Sequence, residues 1–128
     1  MISVFLVYKD VALLLLRLVV AGIFLAHGWP KLKNLKTTAA NFNMMEFKPG
    51  WFWGTYIALL ETVGSLMLVL GVGTQIAALL FAGQMAVVVI WKKMKGQNLA
   101  GGYELDLILA AASLALATSG GGMFTLLF

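Results

Sequence analysis

The sequence predicts an all-α integral membrane protein, a bundle of four helices in one domain spanning residues 1–128. Three observations predict it. Hydrophobic residues make up 62% of the 128 residues and charged ones only 11%, against about 45–50% and about 25% in soluble domains. The apolar residues gather in four runs, each near the roughly 17–25 residues that cross a bilayer, and the rest of the chain is too short for a separate soluble domain. The charges collect mainly in the connections between those runs. Inside hydrocarbon the backbone must satisfy its own hydrogen bonds, and that dictates helices.

The first run covers residues 11–29 and is interrupted only by Arg17 and His27. The second covers residues 51–70, with Glu61 as its one charge. The third, residues 74–91, carries Gln75 and Gln84. The fourth, residues 103–119, opens with Glu104 and Asp106, acids that suit the positive end of a helix dipole. Between the first two runs, residues 41–48 mix apolar and polar side chains. They read as a short amphipathic piece at headgroup level or as an irregular loop, ended by Pro49 and Gly50. Gly71, Val72 and Gly73 form a tight turn, and the three glycines at 120–122 terminate the last helix. Residues 1–8 are apolar without a positive n-region or a small-residue cleavage site. They read as an interfacial lead-in, not a removed signal peptide.

The lysines set an orientation. The loop 30–50 holds Lys31, Lys33, Lys36 and Lys48 against the single acid Glu46, and the loop 92–102 holds Lys92, Lys93 and Lys95. Both loops fall on one side of the membrane, which the positive-inside rule makes the cytoplasm, with both termini extracytoplasmic. Trp29, Trp51, Trp53 and Trp91 fall at the same ends of the spans, as an interfacial aromatic belt does. The expected location is the cell (inner or plasma) membrane, multi-pass. The net charge of +4 thus marks a lipid bilayer and no nucleic acid. The absence of cysteine excludes a thiolate nucleophile, disulfides and a cysteine-ligated centre, and a single histidine cannot build a multi-histidine metal site. No metal site is expected. The seven methionines are scattered and read as packing.

Ionisable groups inside a span are the informative ones. Arg17 sits among leucines and valines, where a charge costs about 2.5–3.5 kcal/mol on the insertion scale. It lies ten residues before His27; Glu61 lies ten after Trp51, and Gln84 ten after Thr74. At 1.5 Å per residue all three fall near mid-membrane in an antiparallel bundle. This arithmetic predicts an Arg17–Glu61 ion pair with Gln84 as a hydrogen-bonding neighbour. Arg17, Ala21, Phe24 and Gly28 share one helix stripe, and Gly54, Ile57, Glu61, Ser65 and Leu68 share another. Small residues beside each charge let the two backbones approach. A second polar layer combines His27 and Lys31, at the end of the first helix, with Glu104 and Asp106 at the start of the fourth. The intramembrane pair has two readings. It either locks the register of the bundle or lines a cavity that binds a ligand or moves protons.

The segment Arg17-Leu-Val-Val-Ala-Gly-Ile-Phe-Leu-Ala-His-Gly-Trp-Pro-Lys-Leu32 resembles the RLxxGxxFxxHGxxKL opening of the DoxX family. Leu60-Glu61-Thr-Val-Gly64 followed by residues 70–78, and Gly101-Gly102-Tyr103-Glu104-Leu-Asp-Leu107, are similar to two further motifs of that family, in the same order. The resemblance covers residues 13–122. It departs at Gln75, where many members carry arginine, at the three glycines 120–122, which lack the usual proline, and in the tail 123–128, which replaces an acidic one.

The resemblance implies a four-helix inner-membrane protein and carries over the family positions Arg17, His27, Lys31, Glu61 and Glu104, without catalytic roles. It also implies a link to quinone-coupled oxidation, to oxidant and quinone stress, or, in a distant branch, to receptor chaperoning. The expected function is a component of a redox or oxidant-stress system, not catalytic by itself, such as an accessory subunit of a quinone-linked oxidoreductase. It would bind a quinone-like or other apolar ligand beside the Arg17–Glu61 pair. The chain itself carries no expected cofactor beyond such a quinone, and it would act with protein partners or as a homo-oligomer. The alternatives are a non-catalytic membrane scaffold or assembly factor and a small proton-coupled transporter. The scarcity of paired Gly/Pro interruptions within the spans speaks against the transporter.

Overall fold

A computed structural model describes residues 8–119. It contains helices α1 (Lys9–Lys33), α2 (Leu35–Met44), α3 (Gly50–Leu70), α4 (Thr74–Met94) and α5 (Glu104–Ser119). A kinked turn, Leu99–Tyr103, leads into α5, with Ala100 extended and Gly101 at φ 77°. Four helical segments are long and apolar enough to cross a membrane, the last being Leu99–Ser119. Residues 1–7 of the lead-in, the glycines 120–122 and the tail 123–128 lie outside the described residues, and so do both termini.

The helices pack as two antiparallel pairs, α1 with α3 and α4 with α5, and the pairs join chiefly through α3 and α4. The stripe expected on the first helix is the buried one: Arg17, Ala21, Phe24 and Gly28, with Val20 beside them. On α3, Gly54, Glu61, Ser65 and Leu68 are buried as expected, and Ile57 is partly exposed while Ala58 takes the inner position. At the centre Phe24 and Phe81 stack face to face, ring centroids 3.8 Å apart. Gly64 gives this stack its room, because a Cβ there would stand 2.6 Å from the Phe81 ring tip. The outward sides of α3, α4 and α5 carry exposed Leu, Ile and Val, as lipid contact requires.

Connections differ from expectation in two places. The first helix does not stop before Pro30 but runs through it to Lys33. Proline forfeits one backbone donor, and the helix breaks only at Asn34 (φ −139°), whose amide still bonds the Pro30 carbonyl. The amphipathic piece expected at 41–48 is a helix shifted toward the N-terminus, Leu35–Met44, because the Asn34 side chain caps it by accepting from the Thr37 amide. This α2 does not lie apart from the bundle. Thr38 packs against Gly54, and the Asn43 side chain accepts from the Gly50 amide at 2.8 Å, so α2 runs beside the first turns of α3. At the opposite end, Gly71 and Gly73 both take left-handed backbone (φ 73° and 60°), which closes the expected turn between α3 and α4 within three residues.

Candidate functional site in the bundle interior

Two polar layers lie inside the helices, at different depths. The first is built on Glu61, which is 2% exposed. Its carboxylate accepts from Lys31 Nζ at 2.5 Å. The α1 stripe at 17, 21, 24 and 28 continues at i+14 to Lys31 once the helix passes Pro30, so Lys31 points at α3 rather than along the surface. The backbone of Lys31 is fixed as well: the buried Thr38 hydroxyl donates to its carbonyl at 3.1 Å and contacts the Asn34 carbonyl at 3.0 Å. Ser65, fully buried, donates its hydroxyl to the Glu61 backbone carbonyl. The Lys31 side chain is 33% exposed and that of Glu61 3%, so the pair connects the lysine-rich end of the molecule to its interior.

The expected Arg17–Glu61 pair is not what this geometry gives. Gly28 stands directly against Glu61, where a Cβ would come 2.5 Å from the glutamate Cβ. Arg17 lies eleven residues earlier on the same helix, about 16 Å along the axis, beyond the span of the two side chains. The depth arithmetic erred because it set His27 level with Trp51, whereas Gly28 meets Glu61. The first turns of α3 run beside α2, past the end of α1, which moves Glu61 toward the lysine-rich end.

Arg17 belongs to the second layer. It is 2% exposed, and it lies seven residues from Phe24 toward the far end of the bundle. Thr74 lies seven residues from Phe81 in the same direction and is fully buried. The Phe24–Phe81 stack therefore puts Arg17 and Thr74 at one depth, about 10 Å from the rings. Gln75 anchors the adjoining helix there, donating to the Ala117 carbonyl at 3.1 Å.

Gln84 keeps its expected depth relative to Glu61. Gly64 meets Phe81; Glu61 is three residues before the former and Gln84 three after the latter, one turn toward the lysines in each case. Its side-chain carbonyl oxygen is buried and, among the described residues, accepts no hydrogen bond; the same holds for the hydroxyls of Thr62, Thr74 and Ser113. Buried polar atoms without partners are costly, and these four lie along the interior from one layer to the other. Sequence reasoning missed Thr62, Thr74 and Ser113. The spacing Leu109, Ser113, Leu116 at i, i+4, i+7 is the signal that marks Ser113 as an inner residue.

The remaining candidates lie elsewhere. His27 is exposed on the outer side of α1. Glu104 is also exposed, and its carboxylate accepts from the Gly101 amide at 3.2 Å, which makes it a cap for the start of α5. Asp106 pairs with Lys92 at 2.6 Å, and Lys92 also reaches the Gly102 carbonyl. The layer expected from His27, Lys31, Glu104 and Asp106 thus separates into two cross-helix ion pairs, Lys31–Glu61 and Lys92–Asp106, one in each helical pair.

Comparison with known proteins agrees with this architecture. The DoxX family model matches residues 12–94. The chain is 30% identical over 111 residues to the Bacillus subtilis (strain 168) protein named "Putative oxidoreductase CatD", covering 87% of this chain and 81% of that one. No solved structure matches it. On the family match, which covers three of the four apolar helices, the chain belongs to the DoxX family of multi-pass membrane proteins.

Proposed function

We propose that this protein is a membrane component of a redox or oxidant-stress system. In this reading it binds a quinone-like or other apolar carbonyl ligand inside the bundle and acts with a partner that carries the electron transfer. The observation that supports it is the Lys31–Glu61 pair with the Gln84 carbonyl oxygen at the same depth. Lys31 has three N–H donors, of which Glu61 uses one. The others suit a carbonyl oxygen, and the buried Gln84 oxygen suits a hydroxyl, so the residues fit both the oxidised and the reduced form of such a ligand. A bound quinone supplies two-electron, two-proton chemistry. The residues of this chain orient it, exclude bulk water with the Phe24–Phe81 stack beneath, and hold a carboxylate and an ammonium where protons are exchanged. The oxidoreductase name of the B. subtilis relative points the same way. The seven loop lysines support a cytoplasmic placement of this end.

Ligand-dependent thermal stabilisation tests the reading. Decylubiquinone should raise the Tm of the purified protein and of Lys36→Ala, whose lysine lies on α2 away from the layer. Lys31→Ala and Glu61→Gln should lose most of that rise. An equal rise in all four proteins overturns the site, and no rise in the wild type overturns the ligand class. A second reading, a scaffold in which Lys31–Glu61 acts only as a latch between α1 and α3, is favoured by the closure of that pair on itself. It predicts lower Tm in both site variants and no ligand effect in any protein.

A further inference from the structure

At the lysine-rich end, the turn after α2 and the last turn of α4 enclose an open cleft of about 250 Å³, lined by Met45, Glu46, Phe47, Trp91, Met94 and Lys95. Its walls are aromatic, with Phe47 and Trp91 rings 6.2 Å apart, and Lys95 Nζ lies 5.9 Å from the centroid of the Trp91 ring. Glu46 and Lys95 bring opposite charges to one small cleft, yet among the described residues neither makes an ion pair.

The backbone at Glu46 makes the acid harder to explain as an accident. Helix α2 ends with the Phe47 amide bonding the Phe42 carbonyl and the Glu46 amide bonding the Asn43 carbonyl. This is the helix ending whose left-handed position is normally glycine. Glu46 occupies that position at φ 68°. A side chain kept where backbone geometry favours glycine points to use of that side chain. It is also the one acid in a loop of four lysines.

We propose that this cleft seats the headgroup of a phospholipid carrying a primary ammonium beside its phosphate, the phosphatidylethanolamine class. Lys95 takes the phosphate and Glu46 takes the ammonium, as charge-assisted hydrogen bonds on either side of the aromatic wall. The acyl chains follow the exposed apolar side of α4, where Ile90 and Val87 lie one turn from Met94 and Trp91 on the way into the membrane. A choline headgroup has no N–H for Glu46, and the Trp91 face that suits a quaternary ammonium is already covered by Lys95. An anionic headgroup without an ammonium leaves Glu46 beside a like charge.

Native mass spectrometry of the purified protein with equimolar dioleoyl phosphatidylethanolamine, phosphatidylglycerol and phosphatidylcholine tests this. The wild type and Lys36→Gln should retain the ethanolamine lipid preferentially by about tenfold, the worth of one charge-assisted hydrogen bond. Glu46→Gln and Lys95→Gln should lose the preference. Glu46→Gly should lose it too while raising Tm, because glycine relaxes the backbone; a folding defect therefore cannot account for the loss. Retention of phosphatidylglycerol as strong as that of phosphatidylethanolamine in the wild type, or an unchanged preference in Glu46→Gly, overturns the proposal.

Discussion

Gly28 of α1 lies so close to Glu61 of α3 that the two backbones meet with no side chain between them; a Cβ on the glycine would fall 2.5 Å from that of the glutamate and 3.0 Å from the α3 backbone. The contact places a buried carboxylate one turn of α1 from Lys31, and it fixes which charge Glu61 holds. Gly28→Ala should therefore destabilise by about 1–3 kcal/mol, the usual cost of overpacking. Gly22, on the same helix, has nothing within 4 Å of its would-be Cβ. Gly22→Ala should be neutral or stabilise by about 0.5–1 kcal/mol through helix propensity. Unfolding of the two variants in detergent distinguishes a packing effect from a general intolerance of alanine in α1.

Thr38 links the end of α1 to α2 and α3 at once. Thr38→Val keeps the methyl that faces Gly54 but removes the hydroxyl that bonds the Lys31 and Asn34 carbonyls. A loss of about 1 kcal/mol is expected from the hydrogen bonding. Because that hydroxyl steadies the Lys31 backbone, the ligand-dependent rise in Tm should shrink as well. Chemical unfolding and the thermal-shift assay read the two effects separately.

The Phe24–Phe81 stack and Gly64 form one packing unit. Phe81→Ala should cost about 3–5 kcal/mol as a buried ring is removed. Gly64→Ala alone should cost about 1–3 kcal/mol, because its new methyl meets the ring tip. In a Phe81→Leu background the same Gly64→Ala change should cost clearly less, since that tip is gone. Additive costs would show that the glycine is there for another reason.

The helices were legible because each is a run of apolar residues of spanning length, and the inner stripes were legible because 3.6-residue periodicity puts Arg17, Ala21, Phe24 and Gly28 on one side. Pairing across helices was not. Depth counted from His27 and Trp51 assumes that those two residues lie at one level, and α2 breaks that assumption by lying beside the first turns of α3. Pro30 suggested a helix end at the point where the stripe in fact gains Lys31. Glu104 and His27 looked equally eligible for a polar layer, because sequence spacing does not say which of two neighbouring turns is turned inward. Thr74 was hidden for a related reason, since a single hydroxyl at the end of an apolar run changes neither its length nor its periodicity, and Ser113 was legible only through its spacing with Leu109 and Leu116.

Stability double-mutant cycles on Glu61 test the central claim most directly. The claim is that Glu61 is held by Lys31 and lies out of reach of Arg17. With Lys31→Met and Glu61→Gln, the coupling energy should be about 1–3 kcal/mol, less than the roughly 3–5 kcal/mol that removing one partner of a fully buried pair costs, because Lys31 is one-third exposed. With Arg17→Met and Glu61→Gln, the two changes should add to within about 0.5 kcal/mol, as sites well separated in a structure do. A large coupling to Arg17 together with none to Lys31 would contradict the register of α1 on α3 and the site built upon it.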